Sequence, residues 1–251
     1  MQKIIKKVLL LNKKEGQTPL ECLESFRAKN KKYQNSKITY AGRLDPMARG
    51  LLFLLVDEEI KNKEKYLALE KEYEFEILFG FATDTYDILG KVVSCARQDL
   101  TQKELQKEIK NNLKSFVGKF KQKYPIYSSK TVKGKALFTY ARIDKEVEIP
   151  ERKISIKKLK LEKITQINSK KLLANVEKRI KKVKGDFRQE DILKIWQENL
   201  SKTMREFFIG KFKIKCSSGA YVRSIANNLG EKLGVPALAF SIKRTKIGKW
   251  S

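Results

Sequence analysis

The sequence predicts an α+β fold built on one large mixed sheet flanked by helices and loops, and three observations lead there. Strand-length apolar or alternating runs are spread along the whole chain, at 51–56, 71–80, 152–167, 211–216 and 237–242. Helical periodicity is confined to separate segments that carry their own start or stop signals. No internal repeat or low-complexity linker divides the chain. Its 251 residues, 41% hydrophobic and 34% charged, are enough to bury a sizeable core without disulfide or metal staples. A single domain over 1–251 is the expectation.

Residues 4–12 (IIKKVLLLN) read as a strand running into the turn NKKEGQ. Thr18, Pro19 and Glu21 then form a helix start, with Thr18 as cap, Pro19 in the first position and Glu21 closing a capping box. LLFLLV (51–56) is a continuous apolar run suited to a buried strand. KEYEFEILFG (71–80) sets Tyr73, Phe75, Ile77 and Phe79 against Glu72, Glu74 and Glu76, so one face should be buried. A second box, Thr101 with Glu104, opens a helix carrying Leu105, Ile109, Leu113 and Phe116 before Gly118 ends it. RKISIKKLKLEKITQI predicts another long strand. Val176, Ile180 and Val183 before Gly185, then Ile192, Ile195 and Trp196 after a capping Asp186, predict a helical hairpin inserted into the sheet at about 171–204. KFKIKC (211–216) restores the strand pattern. Ile225, Leu229 and Leu233 give one face of a helix, and ALAFSI (237–242) closes the series.

Composition excludes several classes of chemistry. The chain has no histidine, no CxxC pair and three scattered cysteines, Cys22, Cys95 and Cys216. Zinc lacks a ligand set, imidazole mechanisms are excluded, and no cofactor or metal is expected. The N-terminus has no signal-peptide pattern and no run of about 20 apolar residues occurs. A cytoplasmic protein with reduced cysteines, no membrane association and no obligate protein partner is expected. The 56 Lys and Arg against 29 Asp and Glu leave +27, which points to a polyanion such as RNA. An AT-rich genome would also produce frequent Lys, Asn and Ile. Residues 151–184 are the most basic stretch, with 13 basic and 3 acidic residues.

Three groups of residues could carry chemistry. In YAGRLDPMARG (40–50), Pro46 biases Asp45 away from helix, and Gly42 and Gly50 permit tight turns, so a carboxylate is held on a stiff loop. The same pattern suits an ordinary Asp-Pro turn. In CSSGAYVRSIANNLGEKLG (216–234), Arg223 falls in the first turn of a helix, where the dipole favours anions; a carboxylate or phosphate partner explains it, and so does a solvated head on a packed stem. Tyr73, the polar loop ATDTYDILG (82–90) and the basic, aromatic KYPIYSSKTVKGKALFTYAR (123–142) suit unpaired RNA, whose bases stack on aromatics while Lys and Arg hold phosphates. Taken singly, core packing and solvated loops account for them equally well.

Together, the order and spacing of these segments resemble the TruB-type tRNA pseudouridine synthases, over residues 5–170 and 206–249. VLLLNKKEGQTP is similar to the family's opening strand and Lys-x-x-Gly-x-Thr turn, and GRLDPMARG to its Gly-x-Leu-Asp-Pro-x-Ala-x-Gly loop. KEYEF resembles the basic-x-Tyr strand, TDTYDILG the Thr-Asp-Thr-x-Asp-x-x-Gly loop, YSSKTVKGKALFTYAR the tRNA-embracing segment, and CSSGAYVRSIANNLGEKLG the arginine motif.

The resemblance implies the pseudouridine synthase fold and isomerisation of the TΨC-loop uridine at position 55, with the tRNA T-arm as partner. It implies Asp45 as nucleophile, Arg223 as its ion-pair partner and Tyr73 as the ring that stacks on the uracil. Attack on the ribose and attack on the base are both compatible with these residues. RNA contacts are implied for Tyr40, Arg43, Asp84, Lys130 and Lys133, with Ile242 lining the uracil pocket and residues of about 123–150 embracing the RNA. The target must be flipped out of its stack. Tyr40 stands where bacterial relatives usually carry a histidine, so stacking rather than proton transfer is expected there. The chain stops at Ser251, so the usual C-terminal PUA domain is expected to be absent. Lys178, Arg179, Lys181, Lys182 and Lys184 of the inserted hairpin are expected to add phosphate contacts. A non-catalytic tRNA-binding or folding chaperone, or a synthase acting on another RNA, are the alternative functions. The chaperone would not need Asp45.

Overall fold

The computed structural model describes residues 7–96, 100–201 and 205–251. In chain order the elements are β1 (Val8–Lys13), α1 (Pro19–Lys29), β2 (Ile38–Ala41), β3 (Ala48–Val56), α2 (Lys63–Ala68), β4 (Lys71–Phe79), β5 (Phe81–Thr83), β6 (Val92–Cys95), α3 (Gln102–Leu113) and β7 (Gly118–Lys123). There follow β8 (Thr131–Val132), β9 (Lys135–Ala136), α4 (Leu137–Arg142), β10 (Glu151–Asn168), α5 (Ser169–Ile180), α6 (Gln189–Leu200), β11 (Glu206–Cys216), α7 (Val222–Leu233) and β12 (Ala237–Ile247). Residues 4–6 of the expected first strand and 202–204 of the expected hairpin lie outside the described residues.

The strands β1-β3-β12-β4-β11-β10-β7 lie side by side in that order, and β2 joins β3 to make an eight-stranded sheet. Its ladders are antiparallel except that between β12 and β3, so the expected mixed sheet is present. β12 pairs with residues 48–50 of β3, and β2 pairs with 53–56. The chain therefore leaves β2, turns through 42–47 and re-enters as β3 beside the middle of β12. That turn carries Asp45.

The alternation read along the strands sorts their side chains onto two covered faces. Phe75, Ile77 and Phe79 of β4 and Phe208, Phe212 and Ile214 of β11 pack in one core with Leu105 and Ile109 of α3 and Ile225 and Leu229 of α7. Leu78, Phe207, Ile209 and Phe240 face the other way, where they meet Leu172, Val176 and Ile180 of α5 and Ile192 and Trp196 of α6. Helices thus cover both sides of the central strands.

Both capping boxes form: Glu21 N donates to Thr18 Oγ1 at 3.1 Å, and Glu104 N to Thr101 Oγ1 at 3.3 Å. A third capping expectation fails. Asp186 does not cap α6, which starts at Gln189 behind Arg188, a left-handed residue with φ +62°. Asp186 instead accepts from Arg188 N at 3.2 Å and, through its backbone oxygen, from Arg142 Nη2 at 2.6 Å. A short polar side chain in a tight loop has several donors within reach, and spacing alone does not select one.

Candidate active site

The turn 42–47 is shaped by a glycine at its start and another just beyond it in β3. Gly42 has φ +83° and Gly50 φ +110°, and a Cβ on Gly50 would lie 2.8 Å from Arg244 N and overlap that residue's carbonyl. Between them, Ala48 N donates to Asp45 O at 3.0 Å and closes the turn around Pro46. Arg244, on β12 and 2% exposed, donates to Leu51 O at 2.7 Å, Gly42 O at 3.1 Å and Arg43 O at 3.4 Å, which ties both ends of the loop to one buried cation. On the other flank, Gly16 N donates to Pro46 O at 2.9 Å. Lys13 is fully buried beside it and donates to Gln17 O at 2.6 Å and Lys14 O at 3.1 Å. Burial lowers its ammonium to about 8, with Asp45 working in the opposite sense.

Arg223 enters from the first turn of α7 and is 3% exposed. Its Nε donates to Asp45 Oδ2 at 2.7 Å and lies 3.6 Å from Asp87 Oδ2; Nη2 donates to Tyr127 O at 3.2 Å and Nη1 to Thr85 O. This resolves the choice that its position left open: the partner is a carboxylate. Burial opposes the guanidinium charge, but Asp45 and then Asp87 hold it firmly protonated.

Asp87 is the second acid of the group. Its Oδ1 accepts from Thr85 Oγ1 at 2.9 Å and from Leu89 N at 2.9 Å. Burial pushes its carboxyl up to about 6; Arg223 opposes the rise and Asp45 adds to it. One guanidinium therefore stands between two carboxylates of unlike setting. The Asp45 side chain keeps 39% of its surface open to solvent, while Asp87 is closed in.

Tyr73 lies half-buried on β4 against the core that contains Leu44, Ala48 and Ile242. Burial raises its phenol above the ordinary range, and the nearby Arg244 moderates the rise. Ile242 is buried between its register partners Ala48 and Phe75. Asp45, Arg223, Tyr73 and Ile242 thus converge where β3, β4, β12 and α7 meet.

The remaining predicted residues lie around this group. Tyr40 is half-buried on β2, with Lys63 Nζ 5.9 Å from its ring centroid. Arg43 is exposed on the loop itself. Lys130 and Lys133 are exposed on the segment that carries the β8–β9 hairpin, where Lys133 (φ +46°) and Gly134 (φ +79°) make the two-residue turn. Both oxygens of Asp84 have partners within the chain: Oδ1 accepts from Lys91 N at 2.9 Å and Oδ2 from Arg188 Nη1 at 2.7 Å. The expected phosphate contact of Arg179 is corrected by the structure. Arg179 is 7% exposed and its donors are taken by Glu15, Asn175 and Phe240 O. It lies on the core-facing side of α5, in register with Leu172, Val176 and Ile180, a placement its position three residues after Val176 already allowed.

Residues 30–187 match the TruB family pseudouridylate synthase N-terminal domain. The chain belongs to that family. It is 33% identical over 238 residues to tRNA pseudouridine synthase B of Lactobacillus gasseri, covering 95% of this chain and 67% of the relative. It is 32% identical over 241 residues to the protein of the same name from Caldanaerobacter subterraneus, covering 96% and 68%. Among solved structures, a Cbf5-Nop10-Gar1 complex matches with TM-score 0.57 at 16% identity, over 97% of this chain and 49% of the matched chain. An H/ACA RNP bound to a substrate RNA containing 2′-deoxyuridine matches with TM-score 0.55 at 16% identity. At that identity the likeness concerns the fold, which is that of a pseudouridine synthase. Family membership makes this TruB-family chain an isomerase.

Sequence reasoning missed Asp87, Arg244 and Lys13 as members of the site. Arg244 follows Ile242 by two residues on one strand, so its inward direction was readable from the alternation. Asp87 and Lys13 sit within quoted motifs but carry no local mark of burial.

Proposed function

We propose that this TruB-family chain is a tRNA pseudouridine synthase that isomerises the uridine at position 55 in the TΨC loop, with the T-arm as its ligand. The observation that carries this reading is the solvent-open Asp45 carboxylate fixed 2.7 Å from the buried Arg223. Asp45 acts as the nucleophile that frees the base from the ribose: its carboxylate oxygen bonds transiently to ribose C1′ or to the uracil ring, and that bond breaks again before the product leaves, which returns the free carboxylate. The bond from ribose C1′ to uracil N1 breaks, the base turns, and C5 bonds to C1′. C5 then loses its proton and N1 gains one, so the reaction is balanced without redox change or hydrolysis. Arg223 orients the carboxylate, and Asp87 with Thr85 O and Tyr127 O orients Arg223. Tyr73 stacks on the flipped uracil and Ile242 bounds its pocket. Flipping costs a few kcal/mol, which Tyr40, Arg43, Lys130 and Lys133 offset by holding the loop and its phosphates.

A chain whose substrate is tRNA works in the cytoplasm, and the +27 charge suits that polyanion. Asp45 distinguishes an enzyme from a binding module, which would need the basic surface and Tyr73 but not Asp45. The test is to map pseudouridine on an unmodified tRNA transcript after incubation with the protein. Modification at position 55 alone is expected. Modification elsewhere, or only on another RNA, would overturn the assignment of substrate.

A further inference from the structure

Arg179, a buried side chain of α5, joins the helical hairpin to Glu15 and Phe240, which lie on either side of the Asp45 loop. Its Nε and Nη2 donate to the two oxygens of Glu15 at 3.1 and 2.9 Å, a two-point grip that fixes direction as well as distance. Nη2 also donates to Phe240 O at 2.7 Å, and the guanidinium carbon lies 4.8 Å from the Phe240 ring centroid. Nη1 completes the set with Asn175 Oδ1 at 3.3 Å.

Both gripped residues border the loop. Glu15 precedes Gly16, whose N–H donates to Pro46 O at 2.9 Å, and Pro46 follows Asp45 directly. The register of β12 with β4 slips between Ala239 and Ser241, which leaves Phe240 as the extra residue. Two residues later, Ile242 begins the parallel pairing with Ala48, at the other end of the loop. The fit around Gly16 is close: a Cβ there would lie 2.6 Å from Lys182 Cβ. Burial would raise the Glu15 carboxyl, yet Arg179, helped by Lys182, holds it below the usual carboxylate range.

We propose that Arg179 is a positioning residue for the isomerisation, through which the helical hairpin fixes the backbone on both sides of Asp45. This rests on the reading of Asp45 as nucleophile. A carboxylate displaced by a fraction of an ångström from its line of attack loses rate while the RNA is still bound, because binding draws on other surfaces. The hairpin then serves catalysis from the opposite face of the sheet, without touching RNA through Arg179.

The experiment compares wild type, Arg179→Met, Arg179→Lys and Glu15→Gln on a T-arm stem-loop RNA. Single-turnover rate, RNA Kd and thermal unfolding are measured for each. Arg179→Met should slow the saturated single-turnover step by about ten-fold or more and leave Kd within about two-fold. Arg179→Lys should recover part of the rate, and Glu15→Gln should fall between. A merely structural role predicts a lower melting temperature with an unchanged rate in the folded protein, and that result would overturn the proposal. Loss confined to RNA affinity would overturn it too, in favour of a hairpin that binds RNA. If Arg179→Met does not fold, the Arg179→Lys and Glu15→Gln rates decide, and wild-type rates in both would be contrary. Wild type without any product would refute the reading of Asp45; active wild type with equally active variants would refute only the role of Arg179.

Discussion

Arg223 and Asp45 lie 178 positions apart in the chain and meet through a 2.7 Å charge-assisted hydrogen bond. The bond joins a half-open carboxylate on a loop to a guanidinium buried at the start of a helix. Its geometry depends on Arg223 having further acceptors, Thr85 O and Tyr127 O, that leave Nε facing the loop.

Lysine cannot reproduce that fork. Arg223→Lys keeps the charge but gives up directed contacts to the Thr85 and Tyr127 oxygens. We expect turnover to fall by about 100-fold or more and stability by about 2–4 kcal/mol, the range for disrupting a buried charged network. Chemical denaturation and single-turnover kinetics check the two effects separately. A variant with wild-type rate would show that Asp45 needs only a nearby positive charge.

Asp87 predicts a pH signature. Its folded carboxyl titrates near 6, above its ordinary 3.8, so the folded state holds a proton that the unfolded state has lost between those values. That contribution to stability is complete below about 3.8 and disappears as pH rises to 6 and beyond. Asp87→Asn removes the titration. The stability of the variant relative to wild type should therefore grow between pH 4 and 7, by something on the order of 2 kcal/mol, and then level off. Urea denaturation of both proteins across that range is the check, and parallel curves would contradict the assignment.

Gly50 makes a steric prediction. At φ +110°, with the Arg244 backbone where a Cβ would go, Gly50→Ala must push β3 and β12 apart at their parallel pairing. The expected cost is about 2–4 kcal/mol, the upper range for strain at a special backbone position. Activity should fall in folded protein as well, because Arg244 holds the Gly42 and Arg43 carbonyls. Thermal melts with activity measured well below the transition would show both.

Much of the fold was legible because its signals are local. The capping boxes of Thr18 and Thr101, the continuous run of β3 and the alternation of β4 each name their element from a few residues. The parallel pairing of β12 with β3 has no such mark, since it joins positions nearly 200 residues apart. Within the site, Asp45 and Arg223 stood out through the Asp-Pro loop and an arginine at a helix start. Asp87 and Lys13 did not, because burial of a charged group is decided by the whole fold. The reading of Arg179 as a phosphate contact failed for the same reason: a run of basic residues shows charge density, while the helical phase decides which of them turns to the core. Sequence order points to Asp186 as a cap, but in the loop its oxygens accept from Arg188 and Arg142.

The central claim, that Asp45 carries the chemistry, is tested most directly by Asp45→Asn in a single-turnover assay on a T-arm stem-loop, with RNA affinity measured alongside. The amide is nearly isosteric and Asp87 still faces Arg223, so the variant should fold, with some loss of stability from the charge removed beside the buried guanidinium, and Kd should hold close to wild type. As neither a nucleophile nor an anion for Arg223, it should give no pseudouridine above background at any RNA concentration or time. Measurable turnover by this variant, at normal RNA affinity, would contradict the claim.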